Sequence, residues 1–241
     1  MELPTGEAFR TEWIDFERGI RVGNLQPHER ITQILKYHLE SRHGTPFVMD
    51  RWGRGVFWQW ICWLPRANRE AKPISHDVNF SCAKFFVSVE RETRVLKSGL
   101  QVERGYAVGP EPYRGCLLQR DWDWHRLMKQ CGGGTWLDAE LRRLVCAEGF
   151  CVEVGDFEAN TVLTAENFDS ARQLRDAAGL YAPDKWVGVQ VYYPMMEREV
   201  GSCSGLELIR AICGVFAEVA PAMNACMTVP LALDEGLGRA V

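Results

Sequence analysis

The 241-residue chain balances 28 lysines and arginines against 32 aspartates and glutamates, a formal net charge of -4, with 46% apolar and 25% charged residues. That is a globular composition, and its overall field repels phosphate backbones and anionic headgroups, so nucleic acid is an unfavoured partner outside a local basic patch. The longest nearly apolar stretch, Val56 to Pro65, is broken by Gln59 and reaches about half the length of a membrane span, so no membrane partner is expected.

The first residues, Met1 to Glu7, carry neither the basic start nor the apolar run of a secretion signal, and a cytoplasmic protein of a kind common in bacteria is expected. Nine cysteines, an odd number with no C-x-x-C pair, read as reduced thiols rather than as a disulfide framework or a zinc site. No cofactor motif is present.

In chain order, Pro27 suits a first helical turn, and Ile31, Ile34, Leu35 and Leu39 recur at helical spacing up to Gly44, so a helix is predicted over 27–43. Two β-favouring runs, 47–52 and 56–64, linked by Gly53-Arg54-Gly55, read as a hairpin. Residues 65–73 read as a polar loop. Val78, Phe80 and Cys82 alternate in one phase and Phe85, Val87 and Val89 in the other, which predicts a strand bulged near Ala83 or Lys84. Leu100 to Tyr106 reads as a fourth strand.

The loop from Gly109 to Arg120 divides the chain into halves, 1–110 and 115–228. In the second half, Asp121 or Asp123 is placed to cap a helix carrying Trp124, Leu127, Met128 and Cys131, and Thr135 to cap the next. A second hairpin is predicted over 150–163, then a helix capped by Thr164, then a strand over 186–193 ended by Pro194. Ser204 and Glu207 form a capping box for a last helix closed by Pro221, and the segment 229–241 reads as a loose tail. The pattern is α+β: a mainly antiparallel sheet of six to seven strands with helices packed on it, in one domain over 1–228.

The densest unusual feature is aromatic and basic. Arg51, Trp52, Arg54, Trp58 and Trp60 crowd the first hairpin, and on an unbroken strand Trp58 and Trp60 point to one face while Phe57 and Ile61 point to the other. Indoles flanked by guanidinium groups stack on planar ligands or anchor protein contacts, so these five residues are the candidate ligand-binding set. Such indoles also fill cores.

Asp121, Asp123 and His125 alternate as metal ligands would on a strand, but the stripe from Trp124 makes them first-turn helix residues. The expected function is therefore a non-catalytic binding protein whose partner is a small molecule or a protein, a second copy of this chain included. The alternative is a hydrolase-like enzyme with a cleft site gathered from His76, Asp77, Glu103, Asp123 and His125.

Overall fold

A computed structural model describes residues 3–72, 81–106, 108, 120–156 and 159–233. Among these residues the core is one nine-stranded antiparallel sheet. Its strands are β1 (Ile14–Asp15), β2 (Gly19–Arg21), β3 (Phe47–Arg54), β4 (Phe57–Pro65), β5 (Lys84–Glu90), β6 (Val95–Gly105), β7 (Cys151–Gly155), β8 (Asn160–Leu163) and β9 (Val187–Met196). Side by side, β3 flanks β4 and the sheet then runs β4-β5-β6-β9-β7-β8, while the short β1-β2 pair joins the far end of β4. The α+β class holds; the strand count exceeds the expected six to seven mainly because β1 and β2 are too short to show an alternation.

Among the described residues seven α-helices accompany the sheet: α1 (Ile31–His43), α2 (Arg66–Glu70), α3 (Asp123–Gln130), α4 (Trp136–Arg142), α5 (Arg172–Gly179), α6 (Glu197–Ser202) and α7 (Gly205–Cys226). Period-2 alternation gives the sheet two unlike faces. Ile61, Trp63, Phe85, Val87, Leu100, Val102, Val152, Val189 and Val191 join one large apolar cluster with Ile34 and Leu35 of α1, Leu127 of α3 and Ile212, Phe216 and Val219 of α7. Phe216 stacks on Phe85 with ring centroids 4.9 Å apart. The opposite face carries a small cluster, Cys62, Leu64, Cys82, Phe86 and Tyr192, to which no helix contributes among the described residues. Val48, Trp60 and Cys151 pack against that cluster, and much of the remaining face is polar.

Several elements differ from expectation for local reasons. The predicted 27–43 helix is split: Pro27–Glu29 forms a single 3-10 turn and Arg30 is extended before α1 begins. The supposed polar loop after Pro65 contains α2, whose Asn68, like Lys72 just beyond it, is fully buried. Position 78 to 80 of the expected bulged strand lie outside the described residues; β5 starts at Lys84 and pairs with β6 without a shift. β6 begins at Val95, and its irregularity falls between Glu103 and Gly105. Thr164 caps no helix: its N–H donates to Asn167 Oδ1 in a turn, and α5 starts at Arg172.

Two prolines sit inside elements they were expected to end. Pro194 lies opposite Lys97 within β9. Pro221 lies within α7, where it forfeits one backbone bond while Ala220, Ala222, Met223 and Cys226 around it stay buried. In the segment beyond 228, Leu231 is buried, Asn224 exchanges two hydrogen bonds with its backbone, and Ala232 O meets His43 Nδ1 at 2.8 Å, so the chain is docked as far as Ala232.

Candidate functional site

The first hairpin does not present its indoles together. Trp52 pairs with Trp60, but Gly53 pairs with Trp58, so Gln59 is an extra residue and the strand shifts phase there. Gly53 permits the bulge, because a Cβ on it would lie 2.5 Å from Trp58 Cα. Trp58 consequently turns into the main core beside Ile20, with the Arg51 guanidinium 3.8 Å from its ring centroid. Trp60 turns to the other face. The expectation that Trp58 and Trp60 share a face is corrected by that one inserted residue.

On the polar face lies a cleft of about 800 Å³ that reaches from β3 to β8. Its floor is a row of register partners on four neighbouring strands: Lys84 of β5, Gln101 of β6, Gln190 of β9 and Glu153 of β7. Gln101 Oε1 accepts from Trp60 Nε1 and from Gln190 Nε2, each at 2.8 Å, and Gln101 Nε2 donates to Glu103 Oε1 at 2.6 Å. These bonds fix both ends of the Gln101 amide, which is itself buried.

Charges on the floor are paired. Lys84 Nζ lies 2.6 Å from Glu103 Oε2, with only 2% and 5% of the two side chains exposed. Burial pulls the lysine towards its neutral form, but the Glu103 carboxylate, with Cys62 and Cys82 nearby, more than reverses this and leaves its pKa raised. Lys97 Nζ meets Glu153 at 2.7 Å and Glu90 at 3.5 Å. Glu153 also accepts from Asn160 Nδ2 at 2.8 Å and from the Tyr192 hydroxyl at 3.3 Å. Burial, with Glu153 beside it, pushes the Tyr192 phenol well up, so it remains a donor.

Three indoles line the walls. Trp52 is 69% exposed on β3, Trp60 is half-buried, and Trp186 lies over Gly188, where a Cβ would sit 2.6 Å from its Cη2. Of the five candidate binding residues, Arg51, Trp52 and Trp60 line the cleft; Trp58 is core and Arg54 is exposed near the hairpin turn.

Of the alternative, enzymatic site, the described residues Glu103, Asp123 and His125 are not gathered. His76 and Asp77 lie outside the described residues. Glu103 is in the cleft. Asp123 is wholly buried elsewhere, its carboxylate taking Asn68 Nδ2, the N–H of Ala83, the N–H and hydroxyl of Thr228, and Lys72 Nζ at 3.0 Å. It caps no helix by its side chain, since Trp122 is the residue at the cap of α3 and makes no side-chain bond there. His125 is partly exposed on α3, its pKa lowered by burial and by Arg120. None of the bonds of Glu103 or Asp123 named above reaches His125.

Among the described residues no group of three or more His, Cys, Asp or Glu is placed to hold a metal ion, and no helix is long and apolar enough to cross a membrane. The eight described cysteines are free thiols, four of them buried. Burial pushes Cys82 up to about 11 and Cys62 higher still, which leaves both protonated and poor nucleophiles at neutral pH.

Sequence reasoning missed Lys84, Gln101, Gln190 and Glu153. The signal available was the alternation Lys97, Gly99, Gln101, Glu103 against Leu96, Ser98, Leu100, Val102, which marks a strand with one polar face. No protein-family model matches this chain, and neither a curated protein nor a solved structure is significantly similar to it, so the meaning of the cleft rests on its own residues.

Proposed function

We propose that this is a non-catalytic binding protein that seats a small polar molecule on the sheet face opposite the main core. The carrying observation is the floor of the cleft: a preformed row of buried and half-buried polar side chains, tied by hydrogen bonds and ion pairs and flanked by indoles, in a hollow of about 800 Å³. Ligand sites are usually such concave, preformed places where a few fixed polar groups set orientation and aromatic walls supply contact area. Exposing Trp52 to water has no structural return, whereas a ligand covering it would bury a large apolar surface.

Binding is favoured over catalysis by how the reactive groups are committed. Glu103 and Glu153 are each held by a lysine ammonium, and the thiols nearest Lys84 are protonated by burial. An acid-base or nucleophilic mechanism would need one of these groups released towards substrate. A cytoplasmic setting accords with the free thiols.

Thermal-shift screening of the intact protein against a broad panel of neutral and charged metabolites tests this reading. A true ligand at a hundred times its Kd should add about 2.7 kcal/mol of stability. That gain should vanish in Trp60→Ala and Gln101→Leu. A panel without any such compound, or a gain that both variants retain, would sink the proposal.

A further inference from the structure

Resting on the cleft being a binding site, the pattern of charge and spare hydrogen-bonding capacity on its surface selects a ligand class. We infer that the ligand is an uncharged oligosaccharide, lying across the strands with its ring faces on the indoles and its hydroxyls on the amides of the floor.

Charge excludes ionic ligands first. Both floor lysines are already neutralised, Lys84 by Glu103 and Lys97 by Glu153 and Glu90. The remaining charged lining groups include Asp50, Glu92 and Asp156 against Arg51 and Arg91, so the rim leans acidic. A phosphorylated or carboxylated ligand would find, among the described residues, both floor lysines already paired and a slight repulsion at the rim. A cation would have to displace a lysine from a contact of 2.6 or 2.7 Å.

The unspent hydrogen-bonding groups come next. Gln101 is saturated at its carbonyl by Trp60 and Gln190. Gln190 and Asn160 each spend one N–H, on Gln101 and Glu153 respectively, and among the described residues neither amide carbonyl receives a bond. Each therefore offers an acceptor and a donor side by side. Hydroxyl groups answer that pairing well, because every one both donates and accepts and rotates to suit. The fixed bonds within the row hold these offers in place before the ligand arrives, which lowers the ordering cost of binding.

Extent decides between one ring and several. The lining runs over β3, β4, β5, β6, β9, β7 and β8, six inter-strand steps of about 4.8 Å, or about 29 Å of sheet. Trp52 and Trp60 are cross-strand partners at one side, and Trp186 precedes β9 towards the other. A lone nucleobase would occupy one indole and leave the rest of the row bare. A chain of saturated rings uses several platforms and a polar floor together.

The test uses the full chain, with tryptophan fluorescence and calorimetric titration against maltotriose, cellotriose and chitotriose, and with uridine and glucose 6-phosphate as the contrasting probes. At least one neutral trisaccharide should bind, at least tenfold tighter than either contrasting probe. Trp52→Ala and Gln190→Leu should each weaken it tenfold or more with unchanged circular dichroism and melting. Trp52 is exposed and Gln190 is replaced by a residue of similar size, so at least one variant folds.

Cleft-dependent binding of uridine or glucose 6-phosphate with no trisaccharide binding would overturn the sugar assignment while the cleft remained a binding site. Failure of all three sugars would overturn it too, and the metabolite screen with Trp60→Ala and Gln101→Leu would then decide separately whether the cleft binds anything. Trisaccharide binding that both variants retain would place the sugar elsewhere and overturn the inference.

Discussion

Among the described residues, two lysine-carboxylate pairs have both side chains almost wholly buried, built from the same chemistry and surrounded differently. Lys72 and Asp123 are both without solvent exposure, and every contact around them is internal: Lys72 Nζ also donates to the carbonyl and the side-chain oxygen of Asn68, and Asp123 ties α2, the approach to β5, α3 and the chain after α7 together. Lys84 and Glu103 are nearly as buried but line an open cleft, beside amides with unspent capacity. A saturated polar cluster fastens elements to one another, whereas a pre-bonded row with spare acceptors on one side is suited to something that comes and goes.

That contrast is broken most forcefully at Asp123. In Asp123→Ala the Lys72 ammonium, the Ala83 N–H and Thr228 lose their acceptor in a closed interior, and removing one partner of a buried pair costs about 3–5 kcal/mol. Urea denaturation should show a loss of that size. A loss under about 1 kcal/mol would mean that the cluster is not a fastening at all.

The two tryptophans separated by the Gln59 bulge sharpen the same contrast. Trp58→Ala empties part of the main core and should cost about 3–5 kcal/mol, while Trp60→Ala removes a half-buried wall of the cleft and should cost less than half as much. Equal losses in the two melting curves would contradict the phase shift on which the site description depends.

Much of the architecture was legible because burial on one face leaves a period. The stripe of Ile31, Ile34, Leu35 and Leu39 marks α1, Ser204 and Glu207 exchange the hydrogen bonds of a capping box at the start of α7, and the β3-β4 hairpin is visible from its apolar runs. Its fine structure was not, since a bulge depends on the partner strand's close approach at Gly53 and not on any property of Gln59. Asn68 and Lys72 read as loop residues because polarity normally means exposure, and only tertiary packing supplies the Asp123 carboxylate that lets them be buried. The cleft floor was hidden for a related reason: Lys84, Gln101, Gln190 and Glu153 are ordinary polar residues singly, and what makes them a row is strand order, which spacing along the chain does not encode.

The finest discrimination between the two pairs comes from Glu103→Gln, with stability followed against pH. The amide keeps the shape of the side chain and can still bond Gln101, so the loss is that of one charge-assisted contact beside an open cleft, about 2 kcal/mol at pH 7, smaller than at Asp123. Its sign with pH follows from the lysine. Lys84 has a folded pKa raised above the ordinary value of 10.5, so the pair stabilises fully below that pH and the contribution is lost as the pH rises through the folded value. In the variant burial is opposed only by the neighbouring Cys62 and Cys82, so the Lys84 pKa falls relative to the wild type and the benefit of the pair is absent. The wild-type protein should therefore exceed Glu103→Gln in stability most at neutral pH, and the margin should narrow as the pH rises first through the lowered Lys84 pKa of the variant and then through the raised one of the wild type. Buried thiols also titrate in that alkaline range, but they do so in both proteins and largely cancel in the difference. A margin that instead widens above pH 10 would mean that Glu103 does not hold the Lys84 charge, and the neutralised floor on which the choice of an uncharged ligand depends would be lost with it.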